Sequence, residues 1–286
     1  MKISVVIPTF NEDKVLEDCI GSLSNQTGAD FEIILVDDGS IDNTKGIVKD
    51  LTHRISNLRF YEQSHLGAGA ARNFGAKQAS GEILVFVDAD MTFDKDFLTN
   101  LIKPIEINPT SPRLRGARGT FSRDEYVSNW DNTLARCWNI NEGWESKKRH
   151  PKDYPNHQPV FRAILKSEFD KVGGFTPGGY DDDWSLFKKL GYEAVEAPNT
   201  IFYHKNPSSI SEIFNHAKWV GKRKYKLGIF GDIVAIVRAS LPISLVVGLW
   251  KSVVNGMPSF LVFKIIYDFG IFCGILEFLV SGKSSK

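Results

Sequence analysis

Cysteine is scarce in this 286-residue chain, and the cysteines that it has lie far apart. Cys19, Cys137 and Cys273 are odd in number and form no pair at the short spacing of a zinc or redox motif. We therefore expect reduced thiols in a cytosolic setting, and neither a disulfide framework nor a zinc site.

An excess of charge of one sign is also lacking. The 35 Lys and Arg residues offset the 34 Asp and Glu residues, and the formal net charge is +1. This balance gives no support to nucleic-acid binding, which relies on concentrated positive charge. No signal-peptide pattern is visible, because a strand pattern follows directly after Met1 and Lys2. What the chain does have is 42% hydrophobic residues, enough for one large domain or two ordinary ones.

Short apolar runs alternate with amphipathic stretches over residues 1–100. The runs predict strands at 3–7, 31–36, 58–61 and 83–87. Helical periodicity predicts a helix at 12–26, capped by Asn11. It predicts a second helix that begins after a cap at Asp42 or Asn43 and ends near residue 54. A third helix follows a glycine-rich turn and ends near Gly81. This alternation favours an α/β fold with a parallel sheet of right-handed βαβ units.

The fourth predicted strand ends on Asp88-Ala89-Asp90, which places two carboxylates one residue apart. Ligands of a parallel α/β sheet collect beyond the carboxyl ends of its strands. Two carboxylates there suit Mg²⁺ or Mn²⁺, which would bridge to a substrate phosphate. The alternative is that both acids only start a surface turn. Because Thr9-Phe10-Asn11-Glu12 and Asp37-Asp38 end two further strands, we expect the three clusters to converge at one sheet edge.

The glycine-rich turn allows a second interpretation. Gly67-Ala68-Gly69-Ala70-Ala71-Arg72 resembles the dinucleotide-binding fingerprint of dehydrogenases. However, its third glycine position is Arg72, and the turn follows the third predicted strand instead of the first. The sequence therefore disfavours a dinucleotide-dependent dehydrogenase.

Four motifs together carry a more specific resemblance. In chain order they are Val6-Ile7-Pro8-Thr9-Phe10-Asn11-Glu12, Val36-Asp37-Asp38-Gly39-Ser40 with Asp42 and Thr44, Gly69-Ala70-Ala71-Arg72-Asn73-Phe74-Gly75, and Asp88-Ala89-Asp90. Their order and spacing are similar to those of the family 2 glycosyltransferases of GT-A fold, closely over residues 1–100 and more loosely up to residue 225. The resemblance implies a Rossmann-like, mostly parallel sheet flanked by helices, and an inverting transfer of sugar from a UDP- or GDP-sugar.

The resemblance also implies which residues bind the donor. In the family, the acidic residue after the second strand accepts from the base and the ribose, and Asp37 holds that position. Arg72 would approach the base or the diphosphate with a permanent charge, unless it pairs with Glu62 or Glu82. Asp88 and Asp90, completed by His204 after a predicted strand at 200–202, would hold Mn²⁺ or Mg²⁺; a purely structural role for His204 is the alternative. The implied donor-binding set is Pro8, Thr9, Asn11, Glu12, Asp37, Asp38, Gly67, Arg72, Asp88 and Ala89.

A second resemblance concerns the general base. Val172-Gly173-Gly174-Phe175, followed by Tyr180-Asp181-Asp182-Asp183-Trp184, is similar to the family's G-G-F and E-D-x-D-L segments, whose aspartate is the base. One alignment makes Asp181 the base and a shift by one residue makes it Asp182. Mutual repulsion of three carboxylates would favour one of them as a proton acceptor near neutral pH. Alternatively, the acids only stabilise a helix N-terminus.

A base is needed by an acceptor hydroxyl, whereas a lipid phosphate is already ionised. The acidic cluster therefore favours a hydroxyl of a glycan or lipid-linked acceptor over a polyprenyl phosphate. The competing class is a non-catalytic nucleotide-binding membrane protein. Between the two acidic regions, the pattern predicts strands at 113–121 and 159–165 and helices at 125–148 and 211–227.

The C-terminal fifth of the chain is more apolar than the rest. The runs 233–250 and 259–280 are each about the 20 residues that a spanning helix needs. Lys264 and Asp268 can pair on one helix face, and Glu277 can reach headgroups. Basic residues flank the runs and predict a helical hairpin at the cytoplasmic face of a membrane; helices lying in the interface are the alternative. We thus expect a catalytic domain at 1–227, with nucleotide-sugar (1–100) and acceptor (101–227) halves, and a membrane-associated hairpin at 228–286 in contact with lipids.

Overall fold

Strand β1 (Ile3–Thr9) is buried along its whole length, because its run of branched apolar residues packs under helices on both faces of a sheet. The computed structural model describes residues 1–106, 117–177, 182–223, 225 and 227–282, without the side chains of 106, 182 and 183. These residues form two compact units. The first contains Met1–Tyr126 and Asp153–His204, and the second contains Val127–Lys152 and Lys205–Lys286.

The remaining elements follow in chain order. They are α1 (Leu16–Ser24), β2 (Phe31–Asp37), α2 (Thr44–Arg54), β3 (Leu58–Glu62), α3 (Ala68–Gln78), β4 (Ile83–Phe86), β5 (Met91–Phe93), α4 (Phe97–Glu106), β6 (Gly119–Phe121), β7 (Glu125–Val127), α5 (Thr133–Glu142), β8 (His157–Gln158), β9 (Ala163–Leu165), α6 (Lys166–Lys171), α7 (Asp182–Leu190), β10 (Ala194–Glu196), β11 (Phe202–His204), α8 (Ile210–Gly221), α9 (Ile229–Arg238), α10 (Leu241–Val254) and α11 (Ser259–Ser281).

The large sheet has eight strands in the order β3-β2-β1-β4-β9-β6-β10-β8. Strands β3, β2, β1 and β4 are parallel, whereas β9 is antiparallel to both of its neighbours. In the register of β1 with β2, Thr9 lies opposite Asp37. A small sheet has the order β5-β11-β7. The predicted α/β class and mostly parallel sheet are confirmed, and the carboxyl ends of β1, β2 and β4 share one edge.

Close packing between α3 and the sheet explains the glycine in the middle of this helix. A Cβ atom on Gly75 would lie 2.5 Å from Val6 Cγ1 and 3.2 Å from Val36 Cγ2. Only a residue without a side chain lets the helix approach strands β1 and β2 this closely. The helix therefore packs directly on strands β1 and β2.

Two local predictions were wrong. Asn11 does not cap a helix, because α1 begins at Leu16; its backbone has φ 59° and its side-chain oxygen accepts from Ile41 N at 2.9 Å. The helix predicted at 125–148 is instead strand β7 followed by the shorter α5, which begins after Asn132. The Asn132 side chain caps α5 by accepting from the backbone N–H of Leu134 and Ala135.

Other predicted boundaries need smaller changes. Asp42 Oδ1 accepts from Thr44 N at 3.0 Å at the start of α2, whereas the Asn43 side chain makes no capping bond. The predicted strand at 113–121 is β6 at its end, and residues 113–116 lie outside the described residues. The domain boundary at residue 227 stays a prediction; by contacts, residues 127–152 and 205–227 group with the C-terminal helices.

The C-terminal apolar runs are helical. Among the described residues, α11 is the one single helix that is long and apolar enough to cross a membrane. Helices α9 and α10 meet that test only when taken together, and they are bent by 54° at the break between them. The predicted pair of Lys264 with Asp268 is confirmed at 2.7 Å. The Glu277 carboxylate pairs with Lys218 and Lys222, and its contact with headgroups stays a prediction.

A buried carboxylate links β1, β2, β3 and the chain before β4. Glu32 is 7% exposed and accepts hydrogen bonds from Ser4 Oγ (2.7 Å), from Ser80 N (2.7 Å) and Oγ (2.6 Å), and from Arg59 Nη1 (2.9 Å). Burial alone would raise its pKa, but these donors outweigh burial and lower the pKa of Glu32 from 4.5 to about 2.

We predict that Glu32→Gln destabilises the protein by about 2 kcal/mol at pH 7, because an amide accepts fewer of these bonds and adds a donor. A lowered native pKa stabilises the fold fully above pH 4.5, and this contribution is lost as the pH falls towards 2. The difference from wild type, measured by urea unfolding, should therefore shrink in that range. The matched control is Glu17→Gln, an exposed partner of Arg54, which should cost under about 0.5 kcal/mol. Equal costs for the two variants would contradict the assignment.

Candidate active site

The first two polar clusters meet where β1 and β2 end. Asp38 N donates to Thr9 O at 2.8 Å, Asn11 N to Ser40 Oγ at 2.9 Å, and Glu12 N to Thr44 Oγ1 at 2.9 Å. The strand ends are thus joined by hydrogen bonds between the segments that follow them. In the described part of the chain, the buried Thr9 Oγ1 has no hydrogen-bond partner. An unpaired buried hydroxyl at the end of a parallel strand is a ready contact for a polar ligand.

Asp37 and Asp38 are both buried but bind different partners. Asp37 accepts from Ser40 N, at 3.2 Å to each carboxylate oxygen, and from Ser40 Oγ, with Lys45 Nζ 3.8 Å away. Asp38 holds the loop before α3: its carboxylate accepts from Gln63 Nε2 (2.6 Å) and from the backbone N–H groups of Leu66 and Gly67 (both 2.8 Å). Its position shapes the glycine-rich turn, where Gly67 has φ 92°.

Asp88 lies between two arginines. Arg72 Nη2 donates to Asp88 Oδ1 at 2.8 Å, and Arg162 Nη1 lies 3.5 Å from Asp88 Oδ2. Although desolvation opposes it, the charge of these guanidinium groups holds the pKa of Asp88 well below its usual range. The suggested pairing of Arg72 with Glu62 or Glu82 is therefore replaced by a pair inside the site. Arg72 is 8% exposed and also lies over the ring of Phe175, 5.6 Å from its centre.

Asp90 lies beside a histidine that is itself held in place. His204 Nε2 is 2.7 Å from Asp90 Oδ2, and His204 Nδ1 is 3.1 Å from Glu125 Oε1. Strands β5, β11 and β7 of the small sheet bring these groups together. Glu125 fixes the orientation of the imidazole ring, so that Nε2 points to Asp90.

The surrounding acidic side chains influence the pKa of Glu12. Burial raises the pKa of Glu12 to about 7, and the negative charges of Asp90, Asp88 and Asp42 add to this effect, while His204 opposes it. The carboxylates are therefore close enough to influence one another without being bonded to one another. A positive charge brought into this cluster would relieve their repulsion.

The donor chemistry fits a divalent cation held jointly with a phosphate. Asp90 and His204 offer a carboxylate oxygen and an imidazole nitrogen, which are suitable for Mn²⁺. Across the described residues, no group of three or more His, Cys, Asp or Glu side chains is arranged to hold a metal by itself. Mg²⁺ commonly needs only one or two carboxylates besides substrate phosphates. The roles of Asp88, Asp90 and His204 as metal ligands stay predictions.

The segment around the predicted base is tied to α3. Asn73 Nδ2 donates to Phe175 O at 2.9 Å, and Phe175 N donates back to Asn73 Oδ1 at 2.9 Å. Gly174 has φ 72°, and a Cβ atom there would lie 2.4 Å from Asn73 Oδ1, which explains the glycine. Asp181 lies outside the described residues. Asp182 is the first residue of α7, but its side chain is not described, so both base assignments stay predictions.

Three residues of this site escaped the sequence patterns. Arg162 lies in the middle of the strand predicted at 159–165 and directly before the observed β9, and an arginine inside this apolar run was the available signal. Glu125 carried no signal of its own, and Asn73 appeared only as part of the motif 69–75 without a role. Both act through partners more than 75 positions away, which are His204 for Glu125 and Phe175 for Asn73. Two predicted residues remain. Pro8 lies near the end of β1, and Ala89 lies beyond the end of β4.

Comparison with known proteins supports one family. Residues 4–178 match the family model described as glycosyl transferase family 2. A GalNAc(5)-diNAcBac-PP-undecaprenol beta-1,3-glucosyltransferase from Campylobacter jejuni is 40% identical over 91 residues, which are 31% of this chain and 29% of that protein. The chain spans 15–31% of the length of the first curated relatives that it matches.

Solved structures share the fold at low sequence identity. Staphylococcus aureus TarS 1-349 in complex with UDP-GlcNAc has a TM-score of 0.57 and 16% identity, over 99% of this chain and 93% of that chain. The mannosyltransferase PcManGT from Pyrobaculum calidifontis in complex with GDP-Man and Mn²⁺ has a TM-score of 0.57 and 18% identity, over 98% of this chain and 88% of that chain. At these identities the likeness shows the fold alone.

We predict that Asp38→Asn costs about 2 kcal/mol of unfolding free energy, because the new amide group places its own donor against backbone N–H groups. The loop 63–67 should also become more sensitive to limited proteolysis. Urea unfolding and proteolysis check this, with Asp50→Asn on the exposed side of α2 as the matched control, expected within about 0.5 kcal/mol of wild type. A protected loop and an unchanged stability in Asp38→Asn would refute the role of Asp38.

Proposed function

The chain belongs to glycosyl transferase family 2, and from that premise we propose that it transfers a sugar from a nucleotide diphosphate sugar to a hydroxyl of a glycan or lipid-linked acceptor. The transfer inverts the anomeric carbon and depends on Mn²⁺ or Mg²⁺. The observation that carries this proposal is the pair Asp90–His204 beside the arginine-flanked Asp88, at the edge where the parallel strands end. These groups suit a diphosphate and a cation together.

The nucleoside part of the donor occupies the floor formed by Pro8, Thr9 and Asp37. The Thr9 hydroxyl, which is buried, and the acceptor oxygens of Asp37 offer hydrogen bonds to a base and a ribose. Support comes from the fold relatives solved with UDP-GlcNAc and with GDP-Man. A UDP- or a GDP-sugar is therefore the proposed donor class.

Charge in the site is balanced around the diphosphate. Arg72 and Arg162 lie where they can share their charge between Asp88 and phosphate oxygens. Asp90 and His204 would hold the cation, and Glu125 keeps the imidazole nitrogen aimed at it. When bound, the cation offsets the negative charge that develops on the leaving nucleotide.

The acceptor hydroxyl needs a proton acceptor as its oxygen attacks the anomeric carbon. Asp182, the first residue of α7, or Asp181, which precedes it in the sequence, supplies that carboxylate. The proton moves to the carboxylate, the new glycosidic bond forms, and the nucleotide leaves with the electron pair of the broken bond.

The enzyme works at the cytoplasmic face of a membrane. Helices α9–α11 carry many exposed apolar side chains, and a curated relative acts on an undecaprenol-linked glycan. Membrane lipids and a lipid-linked acceptor are the proposed partners. A screen of sugar nucleotides for metal-dependent thermal stabilisation identifies the donor.

We predict that Asp90→Ala lowers metal-dependent sugar-nucleotide turnover by about 100-fold or more, since metal stabilisation of a leaving group is worth several kcal/mol. The Mn²⁺-dependent thermal shift in the presence of UDP or GDP should be lost as well. Asp50→Ala, an exposed change on α2, should keep both. If Asp90→Ala retains both the activity and the shift, the cation is held elsewhere. If the wild-type protein binds nucleotide but turns over no donor, the chain is a non-catalytic nucleotide-binding protein.

Separate Asp181→Asn and Asp182→Asn variants test the base. One of them should lose turnover by about 100-fold or more, with little change in donor affinity, because general-base catalysis contributes about that much. Steady-state kinetics and nucleotide-binding titrations measure the two effects independently. Wild-type rates in both variants would remove the base assignment and favour an already ionised phosphate acceptor.

A further inference from the structure

Helix α10 buries its small residues and exposes its large apolar ones, which is the reverse of a surface helix in a water-soluble protein. Its buried residues are the small Ser244, Gly248 and Ser252, spaced four apart. Its outward residues are large and apolar, among them Leu249 (53% exposed) and Val253 (81% exposed). A surface helix in water places these two sets the other way round.

Helix α9 has the same reversal. Asp232 is its buried residue, while Ile229, Phe230 and Ile233 are exposed by 76%, 64% and 53%. Apolar surface on this scale is rare on soluble proteins and marks a face that meets an apolar medium or a partner. The exposed charged residue of α9 and α10 is Arg238, whose long side chain can reach a lipid phosphate from an apolar surface.

Polar bonds on the inside hold this arrangement. Ser244 Oγ donates to Asp268 Oδ2 at 2.6 Å, and Lys264 Nζ donates to Asp268 Oδ1 at 2.7 Å. Asp268 is 4% exposed, so its bonds join α10 to α11 inside the helical group. Turning α10 over to bury its apolar face would expose these bonds to solvent and lose the close packing at Gly248. The outward apolar face is therefore a fixed feature of the second unit.

Helix α11 is long enough to span, but one side of it is already covered by α8. Cβ atoms on Gly270 and Gly274 would lie 2.7 Å from Phe214 O and 2.1 Å from Lys218 O. Glu277 Oε2 pairs with Lys218 Nζ at 2.9 Å, and Glu277 also pairs with Lys222. The two helices are thus in backbone contact over much of the length of α8.

Helix α8 is not suited to the interior of a bilayer. Its 12 residues extend over about 18 Å, more than half of the roughly 30 Å hydrocarbon thickness. The side that faces away from α11 carries the exposed polar residues Ser211, Glu212 and Asn215. If α11 spanned the membrane, much of α8 would be drawn into lipid and these polar groups would lose their contact with water, at a cost of several kcal/mol.

We propose that α9, α10 and α11 lie in the plane of one membrane leaflet, with their outward apolar side chains in the acyl region and α8 on the aqueous side. This in-plane orientation satisfies the reversed polarity of α9 and α10 and keeps the polar face of α8 in water. It rests on the membrane association proposed above and adds the statement that no helix of this group crosses the bilayer.

A bilayer suits this surface better than a second protein chain does. The outward face of α10 runs through Leu241, Leu245, Val246, Leu249, Trp250 and Val253, which offer a single hydrogen-bonding group, the indole of Trp250. Protein interfaces carry about one hydrogen bond per 100–200 Å² and a polar rim. Tryptophan is also a residue that prefers the boundary between acyl chains and headgroups.

The test measures the depth of four labels along one face of α11. Val262, Phe269, Leu276 and Val280 are exposed by 53%, 57%, 42% and 89%, and each is replaced singly by cysteine in the full chain. The background carries Cys273→Ser, because Cys19 and Cys137 are buried and Cys273 is only partly so. Spin labels on these cysteines are examined in vesicles of phosphatidylcholine and phosphatidylglycerol, by accessibility to oxygen and to a nickel chelate. The four positions extend over about 27 Å of helix axis.

An in-plane helix places the four labels at similar depths, within about 5 Å of one another and about 5–10 Å below the headgroups. A label at Asn215→Cys on α8 should remain accessible to the nickel chelate, as the matched aqueous control. Depths that change steadily along α11, or loss of access at Asn215→Cys, would overturn the in-plane orientation while leaving membrane association intact. Failure to bind vesicles, with self-association through α10, would overturn the membrane as the occupant; donor hydrolysis, assayed in parallel, reports on the transferase proposal separately.

Discussion

Compensation of negative charge at one sheet edge is the constraint on which the candidate site depends. Parallel strands deliver Asp37, Asp88 and the segment with Asp90 to the same edge, and carboxylates so placed repel one another. Different partners stabilise each of these acids. Asp88 is held by two arginines, Asp90 by His204, and Asp37 by the N–H and hydroxyl groups of Ser40. Burial, together with the negative charges of Asp90, Asp88 and Asp42, raises the pKa of Glu12 to about 7.

Acidic residues that look equivalent in the sequence have different partners in the structure. The two aspartates of Asp88-Ala89-Asp90 are one residue apart, yet one points into a guanidinium pair and the other to an imidazole. Likewise, the Asp38 carboxylate contacts Gln63, His65, Leu66 and Gly67 of the loop 63–67, whereas its neighbour Asp37 lies at the strand end opposite Thr9. Neighbouring acids therefore have different structural surroundings, and the ligand-binding roles proposed for them differ accordingly.

Much of the fold could be predicted from local patterns, because buried parallel strands such as β1 and β2 are continuous apolar runs. What could not be predicted depends on distant partners. Asn11 resembles a helix cap, but its side chain bonds to Ile41 N instead. Arg162 and Glu125 gain their meaning only from Asp88 and His204. For α10, hydropathy identifies an apolar helix but cannot say which face turns outward, and only packing shows that Ser244 and Gly248 face inward.

The most direct test of the central claim, that these separated acids and His204 form one site for a cation and a nucleotide, is a crystal structure with Mn²⁺ and UDP or GDP, in which anomalous scattering locates the ion. The proposed site predicts an anomalous peak in contact with the Asp90 carboxylate, His204 Nε2 and diphosphate oxygens, with Asp37 against the nucleoside. A peak remote from Asp90 and His204, or a nucleotide bound away from the ends of β1 and β2, would contradict it.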